Sequence, residues 1–173
     1  MGKTPSTVGL ILVVSAVAVV GCKNNNGADT RKGNTMYKKL TTNMMVEDVN
    51  RTVDFYSDIL GFEFMMGVPE NSQEVVTAKP PDRVLAFAVM KAGDVEMMFQ
   101  AKQSLVEEIP EFDGMGIGGS LTFYVEVEDA EALYAKLDGK VTIVKDMQSR
   151  FYGKREFSIR DCNGYILTLA GNI

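Results

Sequence analysis

No histidine occurs among the 173 residues. Its absence removes the commonest metal ligand and the commonest general base near neutral pH. Cysteine is scarce, two residues in all, and Cys22 and Cys162 form no CxxC pair. Nor is there a His-Cys or Ser-His arrangement or a glycine-rich phosphate loop. Basic residues are in deficit: 18 Lys and Arg stand against 23 Asp and Glu, a formal net charge of -5. Such a balance recommends no nucleic-acid partner. It suits neutral or cationic small molecules, though solubility alone accounts for it. Any catalysis is left to carboxylates, tyrosine, lysine or the thiol.

What is present begins with a segment that does not belong to a fold. Lys3 supplies a short positive region, and residues 8–20, VGLILVVSAVAVV, form an uncharged apolar run of signal-peptide length. The run is too short for a comfortable membrane span. Val19-Val20-Gly21-Cys22 resembles a bacterial lipobox, which implies cleavage after residue 21 and a lipid on Cys22. The alternative is an uncleaved N-terminal anchor. Either reading tethers the folded part outside the cytoplasm, on the bacterial cell envelope. Residues 22–36 are polar and rich in Asn and Gly, as in a flexible tether. Residues 37–173 form the folded domain.

A hydrophobic fraction of 46% supports a real core there. The organising stretch is residues 41–64, TTNMMVEDVNRTVDFYSDILGFEF. Leu40, Met44 and Val46 share one face of a strand by period-two alternation. Asp48 is placed to cap a helix. Val49, Val53, Tyr56 and Leu60 recur at helical spacing, and Gly61 sits where a left-handed residue ends the helix. Strands are expected at 62–68, 83–91 and 95–100, with a turn at Ala92-Gly93-Asp94 and a short helix or turn over 101–109. Residues 110–119 read as a glycine-rich linker. The order then repeats: strand 121–127, a helix from the capping Asp129 through Leu137, and strands 141–146, 156–160 and 165–169. Val46-Glu47-Asp48 returns as Val127-Glu128-Asp129, and Phe55-Tyr56 as Leu133-Tyr134. These are two βαβββ units.

VEDVNRTVDFYSDILGFE, with VEVEDAEALYAKL and REFSIRDCNGYILTLA downstream, closely resembles the vicinal oxygen chelate superfamily. That superfamily groups glyoxalases, bleomycin resistance proteins and dioxygenases. The resemblance implies an α+β fold: two βαβββ modules forming one curved mixed sheet around a cavity, with helices on its outer face. It also implies a homodimer, as in the drug-binding branch. Metal sites of the superfamily take one ligand from each of four strands. Placed by motif, the matching positions here are Thr41, Glu96, Thr122 and Thr168, of which only Glu96 has a ligand-type side chain. Neutral hydroxyls are poor ligands for Zn²⁺, Ni²⁺ or Fe²⁺. The expectation is therefore a protein without metal or other cofactor.

Alternation from these positions predicts the ligand-facing set: Thr41, Asn43 and Met45; Glu96, Met98 and Gln100; Thr122, Tyr124 and Glu126; Ile166 and Thr168. Glu156, Ser158 and Arg160 are expected on the same face. The pairs Met44-Met45, Met65-Met66 and Met97-Met98 each send one thioether to the helices and one to the cavity, which suits an adaptable apolar pocket. Glu96, Glu126 and Glu156 beside Tyr124 are able to receive a cationic or polyhydroxylated ligand. The plainer reading of Glu126 and Glu156 is exposed charge paired with Arg155 or Arg160. Cys162 stands where the family's DPxG turn carries proline, as a structural turn residue or a reactive thiol. The reading is a lipid-anchored protein that binds a small organic molecule. The alternative is an enzyme, an isomerase or lyase, with Glu96 and Tyr124 as candidate catalytic groups.

Overall fold

Strand propensity and alternation place β1 at Thr42–Val46, with Met44 and Val46 in the core. The computed structural model describes residues 36–173. The expected signal segment, Cys22 and all of the tether except Met36 lie outside the described residues. Residues Thr41–Ile173 form one compact unit. Leu40, expected on the buried face of β1, is 91% exposed and precedes the strand.

Helix α1, Val49–Asp58, starts where Asp48 accepts a hydrogen bond from the Arg51 amide. It buries Val49, Thr52, Val53 and Tyr56. Gly61 follows with φ +79°, and the Phe62 amide closes back on the Tyr56 carbonyl, a helix ending that needs a residue free to go left-handed. Then come β2 (Glu63–Pro69), β3 (Leu85–Ala92), β4 (Val95–Ala101) and α2 (Lys102–Glu108). A short 3₁₀ turn at Pro110–Phe112 leads to the second module. That module holds β5 (Thr122–Glu126), α3 (Ala130–Leu137), β6 (Thr142–Ser149), β7 (Lys154–Arg160) and β8 (Ile166–Asn172). Asp129 caps α3 through the Ala132 amide, as Asp48 caps α1.

Hydrogen bonding resolves two four-stranded mixed sheets, β1-β4-β3-β2 and β5-β8-β7-β6. In each, the first strand runs parallel to the last and the remaining pairs are antiparallel. The two sheets share one apolar core, which includes Met44, Tyr56, Met90 and Phe99 from the first module and Leu137, Phe157, Ile159 and Leu167 from the second. Each such side chain contributes roughly 1.5–3 kcal/mol by leaving water. Helices α1 and α3 lie on this core side. Helix α2 does not, and its position shapes the site.

The modules are also tied by polar contacts. Tyr56 on α1 donates to Asp161 Oδ2 at 3.0 Å, and Tyr165 donates to the Met45 carbonyl at 2.8 Å. Arg51 donates to the Cys162 carbonyl, and Asn163 to the Thr52 hydroxyl. Asp161 also accepts the amides of Asn163 and Tyr165. Cys162 thus belongs to a tight turn, and burial pushes its thiol pKa up, away from the reactive thiolate.

Candidate functional site

The face of each sheet turned away from α1 and α3 carries the expected site residues. In the first sheet, Asn43 lies opposite Met98 and Met45 opposite Gln100. Met98 in turn faces Val89, and Glu96 faces Lys91. In the second, Tyr124 lies opposite Thr168, which lies opposite Ser158. Thr41 immediately precedes the first register pair, Thr42 with Met97.

On the first sheet this face is partly closed. Asn43 Nδ2 donates to Gln100 Oε1 at 2.6 Å, and Gln100 Nε2 donates to Ser104 and Glu108 of α2. Gln100 is 1% exposed. Helix α2 therefore lies over the site face rather than on the outer face, and Gln100 is spent on holding it there. Met45, Phe87, Val89 and Leu105 are buried yet stand outside the main core. Of the methionine pairs, Met44 and Met97 enter the core as expected, while Met45 and Met98 take the other face. The third pair departs from expectation. A register shift falls between Phe64 and Met66, and Met65 is 43% exposed.

On the second sheet the face is open and holds two polar groups. Thr122 Oγ1 and Thr168 Oγ1 are 3.1 Å apart, and Thr168 Oγ1 is 3.0 Å from Ser158 Oγ. Thr122 also donates to the Ile166 carbonyl. Beside this hydroxyl row, Glu156 gathers three donors. Tyr124 and Tyr152 hydroxyls reach Oε1 at 2.9 and 2.7 Å, and Arg150 Nε reaches Oε2 at 2.8 Å. Glu156 is 2% exposed, so it is not the exposed charge that the sequence suggested. Its cation is Arg150, not Arg155 or Arg160; Arg155 pairs with Glu131. Glu126 is exposed and pairs with Lys154 at 2.8 Å.

These contacts fix protonation states. Burial works against the Glu156 carboxylate, but the bonds from Tyr152, Arg150 and Tyr124 outweigh it and hold the carboxyl below its usual range. Tyr124 is pushed up to about 12, first by desolvation and then by its bond to Glu156. Near neutral pH it is a hydrogen-bond donor, not a phenolate base.

Arg150 and Tyr152 were not among the expected site residues. They come together because the β6–β7 hairpin turns through residues 150–154, where the Gly153 amide closes on the Arg150 carbonyl with φ +79° at Gly153. The register pair Gln148 with Glu156 brings both side chains over the carboxylate. The expected strand stopped at residue 146, three residues short of Ser149, and so left Arg150 in an unassigned loop.

The profile of the Glyoxalase/Bleomycin resistance protein/Dioxygenase superfamily matches residues 40–169, both modules together. The chain belongs to that superfamily. Solved structures carry the same fold. The bleomycin-binding protein of Streptomyces verticillus, complexed with copper(II)-bleomycin, is 20% identical with TM-score 0.52, covering 80% of this chain and 99% of that one. TioX from Micromonospora sp. ML1 is 16% identical with TM-score 0.57, covering 79% and 97%. A superfamily member from Sphaerobacter thermophilus DSM 20745 is 21% identical with TM-score 0.58, covering 80% and 100%. At these identities the likeness is one of fold. No curated protein sequence matches the chain.

Metal-dependent members of the superfamily raise the question whether these residues would hold an ion. The donors do not fit. Among the described residues, no three His, Cys, Asp or Glu side chains converge. Of the four superfamily positions, Thr122 and Thr168 already bond to one another and to the Ile166 carbonyl and Ser158. Glu96 alone offers an anionic oxygen, and one carboxylate cannot displace the hydration of a divalent transition ion.

Proposed function

We propose that this protein is a lipid-anchored, metal-independent member of the superfamily that binds a small organic molecule on the open site face of its second sheet. The observation that supports the reading is a hydroxyl row, Thr122–Thr168–Ser158, next to a tyrosine-lined carboxylate. Hydroxyls and phenols orient a ligand through directional bonds without supplying the field of an ion. Phe151 and Tyr152, exposed beside Arg150 and packed edge to face at 4.9 Å, offer apolar surface to the body of such a ligand. The enzyme reading has less support. Of its two candidates, Glu96 and Tyr124, Tyr124 stays protonated near neutral pH and is a donor rather than a base.

Anchoring through Cys22 and assembly as a homodimer complete the proposal. Both rest on the sequence resemblances rather than on contacts. Fatty-acid labelling that is lost on Cys22→Ser supports the anchor; labelling that survives refutes it. The binding reading is tested by a thermal-shift screen of small organic molecules on chelator-treated protein. Stabilisation by at least one compound, lost in Tyr124→Ala, is expected. A screen with no stabilising compound, or one whose hits require added metal, contradicts it.

A further inference from the structure

Charge on the site face is segregated by sheet. On the first sheet Glu96 lies opposite Lys91, Lys91 also faces Glu63, and Glu108 of α2 accepts from Gln100. On the second sheet the register places Lys145, Lys154 and Arg160 on the face of Glu156 and Ser158, and Arg150 is bound to Glu156. The carboxylates on this part of the face are Glu126 and Glu156, and both are engaged, by Lys154 and Arg150. Among the described residues, Lys145 and Arg160 have no carboxylate partner. The second sheet thus presents a local positive excess within a chain of net charge -5.

The two cations flank Ser158 in the register of the sheet. Lys145 is the cross-strand partner of Ser158, and Arg160 stands two residues farther along β7 from Ser158. A register shift in β6 falls between Lys145 and Thr142, the partner of Arg160, so the two cations lie on either side of a bulge. Ser158 is 5% exposed, and its hydroxyl is linked through Thr168 to Thr122. Lys145 supplies a mobile point charge and Arg160 a planar fork of donors; the Ser158 proton is used within the row, since Thr122 donates to the Ile166 carbonyl and Thr168 to Thr122.

We propose that the molecule bound by this face carries an oxyanion (carboxylate, sulfonate or phosphate) held by Lys145 and Arg160 beside the hydroxyl row. This deepens the small-molecule reading above and rests on it. It also reverses the sign expected from the carboxylates in the sequence, because Glu126 and Glu156 are neutralised by their own partners. The body of the ligand then runs along the hydroxyl row toward Tyr124 and the Arg150–Tyr152 turn.

The test compares two aromatic probes of opposite charge, anilinonaphthalene sulfonate and the cation proflavine, by fluorescence titration of the purified protein. The sulfonate is expected to bind saturably and more tightly than proflavine. The double variant Lys145→Gln/Arg160→Gln should weaken the sulfonate at least about fivefold and leave proflavine no weaker, since two charges near the probe are lost. Both positions are outside the core, and a thermal melt checks that the variant is folded. Tighter binding of proflavine, or an unchanged sulfonate affinity in the double variant, overturns the oxyanion site while sparing the binding reading. Failure of both probes to bind saturably contradicts the binding reading itself.

Discussion

At the scale of single residues, Glu156 sets the character of the site. A carboxylate so buried is costly unless its oxygens are satisfied, and here Tyr152, Arg150 and Tyr124 satisfy them. Its lowered pKa makes it a source of stability with a definite pH dependence. The contribution is complete above the unfolded carboxyl value of about 4.3 and is lost as pH falls through the lower folded value. Asp161, whose carboxyl burial raises, works in the opposite sense, so wild-type acid unfolding alone does not isolate the effect. Urea unfolding of wild type and Glu156→Gln in parallel does. The stability advantage of wild type should be largest near about pH 6 and shrink toward about pH 3. An advantage that is constant or grows on acidification contradicts the assignment. Glu156 was legible in the sequence as a site-face residue, but its partners were not. Two register shifts in β6, on either side of Lys145, break the alternation that would carry the strand past residue 146 to Ser149, beside Arg150.

At the scale of elements, the two capped helices were legible because Asp48 and Asp129 each precede an apolar stripe at helical spacing. What α1 is fastened to was not, since the partner lies more than a hundred residues away. Tyr56 reaches the Asp161 turn between β7 and β8, and burial with the adjacent Asp161 charge raises its pKa well above the usual phenol. Tyr56→Phe keeps the ring packing against Phe62 and Phe99 but leaves Asp161 Oδ2 without this donor. The expected cost is about 1–3 kcal/mol in urea unfolding. A neutral substitution would mean that the contact contributes nothing to joining the modules. The segment after the fourth strand was open between a short helix and a turn; it is a helix, α2, and its side of the sheet was hidden. Nothing in KQSLVEE announces that Gln100, just before it, will fold back onto Ser104 and Glu108.

At the scale of the whole molecule, the repeat of Val-Glu-Asp motifs carried the architecture, and both modules give β-strands in the same order. The superfamily positions Thr41, Glu96, Thr122 and Thr168 carried the functional reading, because the side chains found there decide whether the fold is used with an ion. Thr122 and Thr168 are hydrogen-bonded neighbours, as the fold requires of positions on adjacent strands. Their hydroxyl chemistry is the ground on which metal independence is proposed, and the ligand sites proposed above depend on it. Elemental analysis of protein purified without chelator tests that claim most directly. The account predicts far less than one Zn, Ni, Fe or Mn per chain, unchanged in Glu96→Gln. About one such ion per chain, lost in Glu96→Gln, would contradict it and return the protein to the metal-dependent enzymes of the superfamily.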